Sequence, residues 1–247
     1  MEIGAQLYTL RNQCQDLEGL SESLKKVADM GYQYIQLSGV CPYDPDWMKA
    51  QLEKNGLRCV LTHSPMDRMM EAPEAVAAEH SIFGCNRIGI GYYPLLDEGL
   101  EIFLNKVTPL SRKFRSLGKY LMYHNHDHEF SRLDGKTYMD HILERTSAED
   151  LGITLDTYWV QAGGADPVQW LHRVEGRSPV IHMKDMGYQR RICPIGEGNM
   201  NYESILHAAE DTHVKYALVE LDDCYGEDPF DCLKRSYQCL KAMGLTK

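Results

Sequence analysis

The chain has 247 residues, 43% of them apolar and 25% charged, with 26 Lys and Arg against 36 Asp and Glu for a net charge of −10. That length and composition support a single domain over 1–247 with a full-size core, and they exclude a disordered chain. No apolar run reaches the roughly 18–20 residues of a membrane span, residues 1–8 lack the basic and apolar regions of a signal peptide, and an acidic surface repels a phosphate backbone. The expectation is a cytoplasmic protein with neither membrane nor nucleic acid as a partner.

In chain order, short β-rich runs alternate with amphipathic helical stretches. Glu2–Tyr8 reads as the first strand, and Leu20, Leu24, Val27 and Ala28 then share a helix face that Gly31 ends. Strands follow at Tyr32–Leu37, Leu57–His63 and Arg87–Gly91. Leu100, Phe103, Leu104 and Val107 form the next helical stripe, which Pro109 should kink or restart. Further strands are expected at Tyr120–His124, Gly152–Asp156, Val180–Lys184 and Tyr216–Leu221. The last helix buries Phe230, Leu233, Tyr237 and Leu240 and turns Lys234, Arg235 and Lys241 to solvent. Eight strand-then-helix units in about 250 residues predict an α/β fold, the (β/α)8 TIM barrel. A doubly wound sheet would share the alternation, but the turn after the first strand, Thr9-Leu10-Arg11-Asn12-Gln13, has no glycine to cradle a phosphate. The eight cysteines form no CxxC pair and are expected to be free thiols in a reducing compartment.

Chemistry in such a barrel belongs at the C-terminal ends of the strands. The fifth strand ends in Tyr123-His124-Asn125-His126-Asp127-His128-Glu129-Phe130, and the next three present Asp156, His182 and Glu220. Each follows an apolar run, so each would be a partly buried polar group needing a partner. Carboxylates brought together there would repel one another unless a cation lay between them. One imidazole with several carboxylate oxygens suits a divalent ion, Mn²⁺ first, with Mg²⁺, Co²⁺ or Zn²⁺ as alternatives. Alternation puts His124 and His126 on one strand face, with Glu129 returning from the loop and His128 outward or behind. His80, His141, His172, His207 and His213 read as ordinary satisfied or surface residues.

These segments, with Gln6-Leu7-Tyr8-Thr9-Leu10-Arg11, Leu155-Asp156-Thr157-Tyr158-Trp159-Val160, His182-Met183-Lys184-Asp185, Gly196-Glu197-Gly198 and Val219-Glu220, resemble the sugar phosphate isomerase/epimerase family of xylose isomerase-like barrels. That group also includes inosose dehydratases and endonuclease IV relatives. The resemblance implies one divalent ion held by Glu129, Asp156, His182 and Glu220. The family's first ligand is a Glu within the fifth strand. Here His124 stands near that point and Glu129 follows five residues later; as the only Glu there, Glu129 is expected as the ligand, with His124 or His126 as alternatives. Gln36 stands where many relatives carry Glu.

The implied chemistry is abstraction of a proton next to a carbonyl through a metal-stabilised enediolate. Glu129 and Glu220 are the expected acid/base pair, and His126 and Lys184 orient or protonate substrate oxygens. His63, His124, Trp159 and Glu197 are the expected substrate contacts, with Tyr158 beside Trp159 as an apolar wall. Lys184 could instead pair with Asp185 or Glu197. Barrel phosphate sites use the last two loops. One of these holds Arg190, Arg191 and Gly196-Glu197-Gly198, but the other is acidic, with Asp222, Asp223, Glu227 and Asp228. The expected partner is therefore an uncharged sugar, keto-sugar or cyclitol, and a homo-oligomer is left open. A lyase or hydrolase of the same fold, inosose dehydratase-like or acting on a keto-sugar, uses the same residues. An abasic-site endonuclease would need several zinc ions and a basic face. A non-catalytic barrel would have no reason to gather these groups on adjacent strand ends.

Overall fold

The structure is a computed structural model and describes residues 1–245. Eight parallel strands close into a barrel: β1 (Glu2–Gln6), β2 (Tyr34–Leu37), β3 (Arg58–His63), β4 (Arg87–Ile90), β5 (Tyr120–His124), β6 (Leu151–Asp156), β7 (Val180–Met183) and β8 (Tyr216–Val219). Each pairs with its sequence neighbours, and β1 closes the ring on β8 through Glu2↔Tyr216 to Ala5↔Val219. Several strands stop short of their expected ends because the ladder runs out at the mouth. Beyond β8, the Leu221 N–H donates to Thr9 Oγ1 at 2.9 Å instead.

A helix follows every strand: α1 (Leu17–Asp29), α2 (Pro45–Asn55), α3 (Pro73–Ile82), α4 (Leu100–Ser116), α5 (Tyr138–Arg145), α6 (Pro167–Arg173), α7 (Tyr202–Asp211) and α8 (Pro229–Ala242). Three of them begin alike. Asp44, Asp166 and Asp228 cap α2, α6 and α8 by accepting first-turn N–H groups, and the next residue is a proline whose missing N–H would have had no partner there. The restart expected at Pro109 does not occur, and α4 runs through it. Pro109 costs the helix about 3 kcal/mol. Burial of Phe103, Val107, Leu110 and Phe114 on one face offsets this, at about 1.5–3 kcal/mol each. Among the described residues no helix is long and apolar enough to cross a membrane. All eight cysteines are free.

Strand alternation divides the core into two clusters. Outward residues such as Ile3, Ile35, Tyr123, Ile153 and Ile181 pack under the helices, whereas Leu61, Met122, Val180, Tyr216 and Leu218 fill the barrel itself. The inner space is tight enough to require glycine. A Cβ on Gly4 would lie 2.4 Å from Leu218 Cδ2 and 2.8 Å from the Tyr34 carbonyl oxygen. The carbonyl belongs to the β-ladder and cannot retreat. Gly4→Ala should therefore lower stability by about 1–3 kcal/mol in urea unfolding, and an unchanged midpoint would contradict this packing.

Candidate metal centre at the barrel mouth

The same alternation makes the top interior layer polar. Gln6, Gln36, His63, His124, Asp156, His182 and Glu220 each lie at or within one residue of a strand end. Ladder register brings them level, with Asp156 opposite His182 and Gln6 opposite Gln36. One ligand atom from each of His124, Asp156, His182 and Glu220 lies within 4.8 Å of the other three, and all four residues are buried.

Hydrogen bonds on the far side of each imidazole set its tautomer. His124 Nδ1 donates to the Gly91 carbonyl at 3.0 Å, which leaves the Nε2 lone pair 3.1 Å from Asp156 Oδ2. His182 Nε2 donates to Gln36 Oε1 at 2.7 Å, which turns the Nδ1 lone pair toward Glu220 Oε2 at 2.9 Å and Asp156 Oδ2 at 3.7 Å. His182 Nδ1 and Glu220 Oε2 are both buried and face each other. Lone pairs converging in this way call for a cation.

Lys184 supplies part of that charge. Its ammonium is fully buried, 3.0 Å from Asp156 Oδ2, 2.9 Å from Glu220 Oε2 and 2.6 Å from Asp222 Oδ2. Burial opposes its charge, but the three carboxylates outweigh burial and raise its pKa well above the ordinary value. Burial works against ionisation of Asp156 and Glu220 too, yet Lys184 and the imidazoles hold both well below the usual carboxylate range. His182 is pushed up because Glu220 and Asp156 overcome its burial. Carboxylates outnumber the one ammonium among them, an excess that suits a divalent ion, and burial pushes the Asp222 carboxyl up. Two imidazole nitrogens and two carboxylate oxygens form a donor set that suits Zn²⁺, Mn²⁺ or Co²⁺.

Glu129 is not brought into this cluster. It lies buried in the short 3-10 turn His128–Phe130, where it accepts from the Tyr123 hydroxyl, from the His126 N–H at 2.8 Å and from His128 at 3.0 Å. Burial opposes its charge, but His128 and Tyr123 hold its pKa down. Tyr123 faces outward, with its ring 4.8 Å from that of Phe103 under α4, so its carboxylate partner lies outside the barrel wall. Ladder periodicity accounts for the difference, because the last inward residue of β5 is His124.

Other expected residues divide similarly. His126 is half-buried, with Nδ1 unpartnered and its pKa lowered to about 3 by burial and by His124. Its ring lies 5.4 Å from that of Trp159, whose Nε1 is also buried and unpartnered. His63 accepts or donates at Nδ1 with Ser38 Oγ at 3.1 Å, while its Nε2 has no partner. Its ring stands 5.4 Å from that of His124 and 5.7 Å from that of His182. The Tyr158 hydroxyl turns away to the Arg190 carbonyl. Glu197 is exposed and pairs with Arg235 of α8 at 2.7 Å, so it is not gathered with the mouth residues. Lys184 pairs with neither Asp185 nor Glu197. Sequence reasoning missed Asp222 as its partner, although alternation from Glu220 places Asp222 on the inward side. Tyr92, 60% exposed, adds a ring 5.4 Å from His126 at the rim.

A family model described as xylose isomerase-like TIM barrel matches residues 24–243. A sugar phosphate isomerase/epimerase from Parabacteroides distasonis is structurally similar, with a TM-score of 0.87 at 22% identity over 100% of this chain and 95% of its own. An L-ribulose 3-epimerase has a TM-score of 0.75 at 14% identity, covering 98% and 94%. The IOLI protein, solved with a bound zinc atom, has a TM-score of 0.75 at 13% identity, covering 98% of both chains. At these identities the likeness is one of fold. No curated protein sequence matches the chain.

Gln36 touches no carboxylate of the cluster, yet it fixes which His182 nitrogen is free. Gln36→Leu should weaken divalent-ion affinity about 10–100-fold in a competition titration. Unchanged affinity would show that the Gln36 bond does not orient the imidazole.

Proposed function

We propose that this chain, which belongs to the xylose isomerase-like TIM barrel family, is a divalent-metal-dependent isomerase or epimerase of a small sugar or cyclitol. It would act by moving a proton on a carbon next to a carbonyl. The observation that carries this reading is the buried convergence of His124, Asp156, His182 and Glu220 at the barrel mouth. Those four would hold the ion, with Mn²⁺ the first choice. When bound, the ion supplies Lewis acidity to a carbonyl and its neighbouring hydroxyl.

The chain's own groups do the rest. Glu220 is held ionised by Lys184 and His182 and faces the mouth cluster, so it is the base. His126 is neutral at pH 7 and offers an unpartnered Nδ1 beside Trp159, so it relays a proton on the β5 side. Lys184, fixed among Asp156, Glu220 and Asp222, keeps a positive charge beside the oxygen where negative charge develops. Trp159 supplies an apolar wall. Glu129 is a positioning residue whose carboxylate holds the His126 backbone N–H.

One feature favours a second reading, a lyase that eliminates a β-oxygen. The carboxylates of the cluster come from β6 and β8, while β5 contributes an imidazole. A base on one side with an ammonium beside it suits taking a proton and handing it to a leaving oxygen. Incubation in D2O separates the two: deuterium enters an intact sugar for an isomerase or epimerase, whereas an eliminated product accumulates for a lyase.

Elemental analysis after exchange into Mn²⁺, Mg²⁺ or Zn²⁺ should find about one equivalent per chain, and no uptake of any ion would refute the reading. Asp156→Ala and His182→Ala should lose the ion while keeping the circular dichroism of the folded barrel. His124→Ala should lose at least about tenfold in affinity. Glu129→Gln should keep near-native affinity and lose activity through misplacement of His126. The reverse pattern, with the ion lost in Glu129→Gln and kept in His124→Ala, would return the fourth ligand to Glu129.

A further inference from the structure

We infer that the substrate has two sugar rings, the reacting one at the mouth and a second in a groove outside β2 and β3, with His63 between them. The inference deepens the proposed reading of the mouth as a sugar site and rests on it.

An irregularity in the β2–β3 ladder joins the two places. Ile35 stands opposite Cys59 but Gln36 stands opposite Leu61, so Val60 is an extra residue. Val60 and Leu61 consequently both pack inside the barrel, and the alternation beyond them is reversed. Unbroken alternation from Val60 would carry Thr62 inward and turn His63 out. The bulge instead brings His63 to the mouth, its ring 5.4 Å from that of His124 and 5.7 Å from that of His182. It turns Thr62 outward, against His80 of α3. Two glycines leave room for the imidazole. A Cβ on Gly91 would lie 2.6 Å from His63 Nδ1, and one on Gly89 would lie 2.9 Å from Cδ2.

The groove runs between the loop after β2 and the segment after β3, and His63 forms part of its wall. It encloses about 420 Å³, within the roughly 300–1,000 Å³ of small-molecule sites. Its polar groups have fixed directions. His80 Nδ1 donates to the Val76 carbonyl at 2.7 Å, so His80 Nε2 accepts the Thr62 hydroxyl at 2.8 Å. Burial lowers the His80 pKa to about 4, which keeps the ring neutral. Thr62 has thereby given up its one proton, so its Oγ1 accepts from Ser64 at 3.3 Å. The Ser64 oxygen is left to accept from a ligand.

The groove also donates and offers apolar surface. Arg68 is held by both oxygens of Glu79 at 2.6 Å through Nη2, and its other N–H groups remain to donate. Tyr43 and Phe83, with rings 6.1 Å apart, supply an aromatic wall. An acceptor, a donor and an aromatic face together match a sugar ring, whose hydroxyls both donate and accept and whose C–H faces are apolar. His63 then serves the junction. Its Nδ1 is fixed 3.1 Å from Ser38 Oγ, and its Nε2 is buried without a partner and available to the oxygen that links the rings.

The test uses the Mn²⁺-loaded protein and sugars that differ by one ring: maltose, cellobiose and lactose against glucose, and maltulose and lactulose against fructose. Calorimetry should show at least one disaccharide binding at least about tenfold more tightly than its monosaccharide. Ser64→Trp, which fills the groove, should bring that pair to equal affinity while the divalent-ion titration keeps its parent midpoint. Arg68→Ala, at an exposed side chain that the fold does not need, should lower the preference at least about threefold. Equal affinities in every pair, or a preference that both variants leave intact, overturns the inference. Proton exchange in D2O on the same sugars judges the proton-transfer reading separately. Its absence from every sugar would remove that reading, while the affinities still decide whether a second ring is held.

Discussion

Asp156, Glu220 and Asp222 are brought together where water is largely excluded, and their repulsion is the constraint on which the rest of the mouth depends. In a medium of low effective dielectric, paired like charges a few ångströms apart cost several kcal/mol unless positive charge is interleaved. Lys184 provides one such charge, buried without exposed surface and in contact with all three. The remaining excess of carboxylate faces two imidazoles whose opposite nitrogens are tied to Gly91 and Gln36. Tautomer, carboxylate geometry and net charge thus point to the same divalent ion. No one of them alone would do so, since a buried histidine or a rim carboxylate has many other uses.

The barrel supplies the precision. Every group in the cluster descends from the two-residue period of a strand in a closed ladder, so its position is set by backbone hydrogen bonds rather than by loop conformation. Loops then finish the site. Asn125 Oδ1 accepts the Asp156 N–H at 2.9 Å and ties the exit of β5 to that of β6, while Glu129 holds the turn that presents His126. Asp185 does the same beyond β7 by gathering four backbone N–H groups.

Much of this was legible in the chain because periodicity and strand ends are local. Alternating apolar runs located all eight strands, and Asp156, His182 and Glu220 fall together because each ends its run on the inward phase. Where residue type and phase diverge, the structure sets the residue apart from the cluster. Glu129 has the chemistry of a ligand but lies beyond the end of β5, bound to the outward-facing Tyr123, whereas His124 has the phase. Glu197 lies outside the mouth, and its partner Arg235 stands 38 positions later in the chain. Such long-range pairings, like those of Lys184 with Asp222 or Gln36 with His182, leave no local signal. Pro109 shows the converse, where a strong local preference is overridden by a buried helix face.

The account turns on where an ion would be held. Crystals grown with Mn²⁺ and measured near its absorption edge would show this directly. The account predicts a single strong anomalous peak within coordination distance of His124, Asp156, His182 and Glu220, at about 2.0–2.3 Å, with Lys184 still beside Asp222 and Glu129 still bound to Tyr123. A peak coordinated by Glu129, or no peak at the mouth in crystals soaked to saturation, would contradict it.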